Sequence, residues 1–331
     1  MTVRRRSDHA PVLQRREFLR QVGRTGLAVA GTAAAAFWLH DREWPAPDDR
    51  ALVLPSFRVE APAGAPRMAV VHGTSIETMV KAAASELGGM ERFVRPGDIV
   101  LVKPNVAFDR GPSLGATTHP EVVAAIVRLC RSAGASKVIV ADNPINSPEG
   151  AFYKSGIGRA AGEAGAVVMY PTSSDFRPLD IGGEVLHRWP VFYRAFSDVT
   201  KVIGVAPLKD HNLCGASMTM KNWYGLLGGA RNQFHQKIHP VIADLAGMVQ
   251  PTLVFLDATR ILMTNGPNGG SLSDVVAGDT IVAGVDQVAV DAYGFTRLGR
   301  DPGQLQYLQI ASTRKIGSAD WRALDVREVS V

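Results

Sequence analysis

The 331-residue chain is 46% hydrophobic and 20% charged, with 33 glycines and 20 prolines, a balance that excludes a disordered, collagen-like or disulfide-scaffold protein and suits a folded α/β chain. Its two cysteines, Cys130 and Cys214, cannot by themselves supply a four-cysteine zinc or iron–sulfur site. The formal net charge of +5 is matched by residues 1–39, where Arg4, Arg5, Arg6, Arg15, Arg16, Arg20 and Arg24 face only Asp8 and Glu17, so the remainder is formally neutral and no nucleic-acid partner is expected.

In that first segment, Gln14-Arg15-Arg16-Glu17-Phe18-Leu19-Arg20 precedes a Gly- and Ala-rich apolar run from Gln21 to Leu39. Arginines, a short apolar stretch and then small residues have the form of an export signal, and the pattern resembles the bacterial twin-arginine signal. It implies a protein exported already folded, to a periplasmic or other extracytoplasmic site. The run carries Arg24 and falls short of the roughly 20 apolar residues of a spanning helix. Left uncleaved it would tether the chain to a membrane, and an ordinary amphipathic helix is the competing reading. Residues 40–66, rich in Pro, Ala and charge, have neither a helical nor a strand period and read as a linker.

From Arg67 onward short apolar runs alternate with amphipathic segments, which predicts one large α/β domain over residues 67–331, a mostly parallel sheet flanked by helices on both faces. Met68–Val71 predicts a strand, followed by a helix opened by Thr74, with Glu77 three residues on as a capping box, and closed at Gly88-Gly89. A second strand, Asp98–Val102, runs into Lys103-Pro104-Asn105. Thr118, with Glu121 three residues later and Pro120 in the first turn, predicts a helix through Arg131 that Gly134 closes. Lys137–Ala141 is almost wholly apolar, as a strand buried on both faces should be, and ends at Asp142-Asn143-Pro144. Further strands are predicted near Ala166–Met169, Lys201–Val205, Leu253–Leu256 and Thr280–Val285, with a hairpin around Gly182-Gly183 and a helix starting near Asp286. Cys130 falls in a helix interior and reads as a small buried hydrophobe, so no disulfide is expected.

Open parallel sheets bind ligands just beyond the carboxyl ends of their strands, where helix N-termini aim free N–H groups. Lys103 and Asn105, Asp142 and Asn143, Lys209 and His211, Asp257, and Asp286 each follow a different predicted strand, and the expectation is that they meet on one rim. Asp286 and Asn143 read as helix caps or turn formers. Lys103 and Lys209 do not, because a lysine beyond a buried strand and close to a proline neither caps nor turns, and it suits an anionic group. The densest stretch, Leu208 to His239, holds Lys209, His211, Lys221, His235, Lys237 and His239 among Gly-rich connections. His235 and His239 lie four apart and, if both were helical, would chelate a metal with His211 or a carboxylate as third ligand, although Pro240 puts the helix start near His239 and leaves His235 in the loop before it. Met218, Met220, Trp223, Tyr224 and Leu226 read as core. Gly228-Gly229 and Gly266-Pro267-Asn268-Gly269-Gly270 lack the phosphate-loop and dinucleotide spacings, and there is no Gly-x-Ser-x-Gly elbow.

The segments VKPNV (102–106), TTHPEVVAAIVRLCRSAGASKVIVADNP (117–144), LKDHNLCGASMTMKNWYGLL (208–227) and DLAGMVQPTLVFLDA (244–258), with the later GPNGG and AGVDQVAVDAYG, resemble the domain-of-unknown-function 362 family from about Met68 to Gly317. The resemblance implies an α/β fold and little biochemistry. Some members carry ferredoxin-like cysteine clusters; this chain lacks those cysteines, so no iron–sulfur cluster is expected. The motif positions the resemblance carries across, with roles unassigned, are Lys103, Asn105, Thr118, His119, Asp142, Lys209, His211, Lys221, Asn222, His235 and Asp257.

Together these readings describe an exported α/β protein acting on a small anionic ligand at the carboxyl rim of its sheet. Lys103, Lys209 and Lys221 would hold carboxylate or phosphate oxygens, with Asn105, Thr118 and Asn222 beside them. His211 or His119 would move a proton, and Asp142 or Asp257 would orient the imidazole and raise its basicity. The alternatives are a noncatalytic protein that holds a metal ion or metallocofactor through His211, His235 and His239, and an accessory partner of an exported redox complex.

Overall fold

The computed structural model describes residues 52–60, 62 and 64–331; the arginine-rich segment, and with it the expectations of export and tethering, lies outside the described residues. The strands are β1 (Met68–His72), β2 (Ile99–Lys103), β3 (Lys137–Ala141), β4 (Val167–Met169), β5 (Arg177–Asp180), β6 (Arg188–Val191), β7 (Lys201–His211), β8 (Gly215–Ser217), β9 (Leu253–Leu262), β10 (Val275–Gly284) and β11 (Val326–Ser330). The α-helices are α1 (Ile76–Glu86), α2 (Pro120–Ser132), α3 (Pro148–Lys154), α4 (Ile157–Glu163), α5 (Thr219–Asn222), α6 (Ile238–Met248), α7 (Gln287–Arg297) and α8 (Gln306–Thr313). Eight strands lie in the order β11-β1-β10-β9-β7-β2-β3-β4, β8 folds back on β7 as a ninth, and β5 and β6 form the separate hairpin expected around Gly182-Gly183.

The sheet is mostly parallel because β2, β3, β4, β7 and β9 are joined by crossovers, while β10 runs against both of its neighbours. Side chains alternate across each strand, so one strand feeds two cores. Val100, Val102, Val138, Val140, Ile203 and Val205 face the layer of α1, α2 and α4. Leu101, Ile139, Ala141, Val202, Ala206 and Leu208 face the layer of α5, α6, α7 and α8. Both faces are therefore covered, as the near-continuous apolar runs predict. Both cysteines are free and buried, and among the described residues no helix is long and apolar enough to cross a membrane.

Several boundaries differ from the sequence reading, each for a local reason. Helix α1 is capped by Ser75, whose side chain accepts from the Thr78 N–H, and not by Thr74. Helix α2 is capped by His119, because Pro120 occupies the first helical position; the Thr118 hydroxyl is committed elsewhere. Strand β7 continues past Pro207 to His211, since its register against β9 shifts between Pro207 and Lys209 and the missing proline N–H falls at that irregularity. Strand β9 likewise continues to Leu262, so Asp257 lies within a strand and not beyond it. Part of the stretch with linker composition lies along the domain: Phe57 is buried, its N–H donates to Gln250 O, and its carbonyl accepts from Thr252 Oγ1.

Candidate functional site

Strands β2, β3 and β7 are adjacent and parallel, so the residues leaving their carboxyl ends meet. Lys103, at the end of β2, is fully buried and its Nζ lies 2.6 Å from Asp142 Oδ1, just beyond β3. The same ammonium donates to Asn222 Oδ1 at 3.0 Å and to Pro104 O at 2.9 Å, which uses its three N–H groups. Asp142 Oδ2 accepts the Val106 N–H at 2.7 Å. From Asn222 the network continues: its Oδ1 also accepts from Asn105 Nδ2 at 3.2 Å, and Asn105 Oδ1 accepts from Lys209 Nζ at 3.3 Å. Lys209 Nζ donates again to Ala116 O at 2.5 Å and stands 5.1 Å from the centre of the Phe108 ring. Thr118 braces the floor by accepting the Asn105 N–H and donating to Val205 O.

Gly225 passes directly over the ion pair. A Cβ there would overlap Asp142 Oδ1 and stand 2.8 Å from Lys103 Nζ, so the close approach admits only glycine. The segment that carries Gly225 is held from beneath by Asp291, which accepts the Thr219 and Met220 N–H groups and the Thr219 hydroxyl, and by Trp223 Nε1, which donates to Gln287 Oε1 at 2.7 Å. The indole packs against the sheet at Gly204; a Cβ there would be 2.7 Å from the ring.

Above this floor is a cavity of about 980 Å³. Lys103, Lys209, Lys221, Arg231, His211 and His235 line it, and among the described residues Asp142 is the one carboxylate in its lining. Phe108, Phe176, Ile145, Leu213 and Tyr224 supply an apolar wall. Lys209 and His211 share a strand face because they are two residues apart, whereas Asp210 between them turns away to pair with Arg300 at 2.7 Å. The Arg231 guanidinium is fixed by four backbone carbonyls, those of Asn143, Pro144, Tyr224 and Leu227. Lys221 is different: among the described residues its Nζ has no hydrogen-bond acceptor and no carboxylate, only the Tyr224 ring at 5.2 Å.

So many cations around one acid alter the proton affinities. Burial lowers Lys103, and Asp142 opposes the shift. Burial, with the Lys221 charge adding to it, brings Lys209 down to about 7. Lys221 is lowered by burial and by Arg231. His211 is pushed down to about 2 by burial and by Lys221 and Lys209. Its Nδ1 accepts the Leu213 N–H at 3.2 Å, which leaves the proton on Nε2. Among the described residues no carboxylate touches the ring, so the expected orienting acid is replaced by a backbone amide and the expected rise in basicity by a fall.

The other sequence candidates lie elsewhere. Asp257 and His119 are together but outside the pocket lining: Asp257 Oδ2 accepts the backbone N–H of His119 at 2.7 Å, and its Oδ1 accepts from Thr259. Asp286 caps α7, as expected, yet it sits on the opposite rim, because β10 reaches it running antiparallel. It lines a separate cleft of about 300 Å³ with Arg67 and Thr252. Asn143 caps no helix; its side chain donates to Leu227 O at 2.8 Å, and α3 is capped by Ser147. His211 and His235 line the same pocket, while His239 is outside it, its ring 6.1 Å from that of Tyr307. Among the described residues no three His, Cys, Asp or Glu side chains group closely enough to hold a metal ion. Sequence reasoning passed over Arg231 and the aromatic wall; the one available signal for Arg231 was its place between Lys221 and His235 in the densest basic stretch.

Comparison with known proteins agrees with the motif reading. A thylakoid-associated protein of Synechocystis sp., sll1697, is 28% identical over 247 residues, which cover 70% of this chain and 72% of that protein. Among solved structures, the lactate racemase apoprotein from Thermoanaerobacterium thermosaccharolyticum aligns with 13% identity and a TM-score of 0.39 over 74% of this chain and 58% of its own. A Thermotoga maritima protein aligns with 14% identity and a TM-score of 0.37 over 72% of this chain and 59% of its own. Residues 100–296 match the model of the family described as Domain of unknown function (DUF362), and this chain belongs to that family.

Proposed function

We propose that the pocket binds a small organic anion through Lys221, Lys209 and the Nε2–H of His211, and that Lys209 exchanges a proton with it. The observation that supports this reading is the charge balance: among the described residues Lys103, Lys209, Lys221 and Arg231 share one carboxylate, and Lys103 already holds it. Inside the pocket, where Lys209 is buried and Lys221 half-buried, an anion supplies the counter-charge that they lack, and the interaction is stronger than at a fully exposed surface. The apolar wall accommodates the ligand's carbon skeleton. A lysine that titrates near neutrality populates both of its states at neutral pH, which suits an acid–base group, while neutral His211 serves as a hydrogen-bond donor to an oxygen.

The test is calorimetric titration of the full chain with a panel of carboxylates and organic phosphates. Binding by at least one of them is expected, weakened at least about tenfold in Lys221→Met, since truncating one side of a desolvated charge pair costs 2–5 kcal/mol. Equal affinity in the variant, or no binding across the panel, overturns the reading.

Location belongs to the same proposal. The Arg15-Arg16 segment supports export by the twin-arginine route, and the thylakoid-associated relative supports a destination at a membrane. Cell fractionation of the Arg15→Lys, Arg16→Lys double variant is expected to retain the protein in the cytoplasm; unchanged export would remove the twin-arginine reading.

A further inference from the structure

We propose that Lys221 is a covalent site: its amine condenses with the carbonyl of an anionic oxo compound, of the 2-oxo acid class, whose charged group rests on Lys209. The inference rests on the anion-binding reading and adds a reaction to it. The three pocket lysines differ in what they touch. Lys103 spends three N–H groups on Asp142, Asn222 and Pro104, and Lys209 spends two on Ala116 and Asn105. Lys221 spends none among the described residues. Its backbone is nonetheless fixed, because Thr219 and Met220 before it are bonded to Asp291 and Asn222 after it is locked into the Lys103 network. A nucleophilic amine needs this combination: a held position, no acceptor that favours the ammonium, and cationic neighbours that disfavour it. The charged and titratable groups facing it are Lys209, Arg231, His211, His235, Cys214 and Tyr224, with the Lys103–Asp142 pair on the floor of the same pocket. Burial pushes the Cys214 thiol up to about 11, so at neutral pH it gives Lys221 no counter-charge. The lowered proton affinity of Lys221 has the same origin.

The step balances as follows. The neutral amine attacks the carbonyl carbon, forming the C–N bond, and the oxygen leaves as water with one proton from the amine nitrogen and one from the Lys209 ammonium. The iminium retains one N–H and the positive charge, and Lys209, neutral after the step, takes a proton back from solvent, which restores the ammonium under the carboxylate. The apolar wall of Phe108, Phe176, Ile145 and Leu213 takes the carbon skeleton of the oxo acid.

The full chain is incubated with phenylpyruvate and sodium cyanoborohydride and mapped by peptide mass spectrometry; phenylpropanoate, the same anion without the oxo group, is titrated in parallel. One adduct per chain is expected, on Lys221, in excess over exposed Lys81, Lys137 and Lys154 by about tenfold for each unit by which its proton affinity is lowered. Lys221→Arg is expected to abolish the adduct. Phenylpropanoate binding without labelling of Lys221, or labelling that follows exposure, overturns the imine and leaves the anion reading standing. Absence of both binding and labelling removes both.

Discussion

Asp142→Ala is expected to cost about 3–5 kcal/mol of folding stability, the effect of leaving a buried charge without its partner. Lys103 and Asp142 are each almost completely shielded from solvent, and the carboxylate also holds the Val106 N–H that shapes the loop after β2. With the acid gone, Lys103 retains only Pro104 O and Asn222 Oδ1 as acceptors, while its desolvation is unchanged. The lysine then gives up its proton in the folded state at a pH where the unfolded chain still holds it. A lysine lowered in the fold makes stability rise with pH, so the loss in the variant is expected to be largest at neutral pH and to shrink toward pH 9. Lys103→Met/Asp142→Ala is expected to lose less than the sum of the single changes, because neither charge remains unpaired. Urea unfolding of the four proteins at pH 7 and pH 9 checks all three statements. A strictly additive double variant, or a loss independent of pH, would mean that the pair contributes only as packing.

The meeting of Lys103 and Asp142 on one rim was the part of the site most open to sequence reasoning, for a geometric reason, although their pairing was not expected and takes Lys103 away from the ligand it was expected to hold. Two adjacent parallel strands with short apolar runs must release their next residues at the same rim, so Lys103 and Asp142 could be brought together from their positions alone. The rule failed at Asp286 because an apolar run reads the same in either direction. Strand polarity is set by the connection, and residues 263–274 between β9 and β10 hold only the 3₁₀ turn Leu272–Asp274. That connection lacks the helix a parallel crossover needs, and its Gly-Pro-Asn-Gly-Gly run was the signal of a reversal. The functional ranking of the basic residues was not legible for a different reason. Which lysine is saturated by acceptors and which is left free depends on contacts among residues about a hundred positions apart, such as Lys103 with Asn222. Desolvation likewise turns His211 from the expected base into a neutral donor and moves the near-neutral titration to Lys209.

The second large effect follows from Lys209, and it has two opposite signs. Its folded value of about 7 lies well below that of a free lysine, so between these values the unfolded chain binds the additional proton. Without ligand, stability is therefore expected to rise with pH above 7, by up to about 1.4 kcal/mol per pH unit from this group, and Lys221 and Lys103 shift in the same sense. The clean window closes near about pH 8.5, where the thiols of the unfolded chain ionise. Cys130 and Cys214 stay protonated in the fold, so their contribution opposes the slope from there on. Anion affinity runs the other way. A bound carboxylate requires the Lys209 ammonium, so affinity is expected to be full below pH 7 and to fall by up to about tenfold per unit above it. His211 does not intrude, since it is neutral on both sides of that range. Lys209→Met is expected to bind weakly at every pH, and Lys209→Arg, which keeps its charge throughout, to bind with a nearly flat profile from pH 6 to pH 8.5. Calorimetry with phenylpropanoate across this range, alongside urea unfolding of the free protein, measures both slopes. Affinity and stability that rise together would place the titrating group outside the pocket, and a wild-type profile retained in Lys209→Arg would assign it to Lys221 instead.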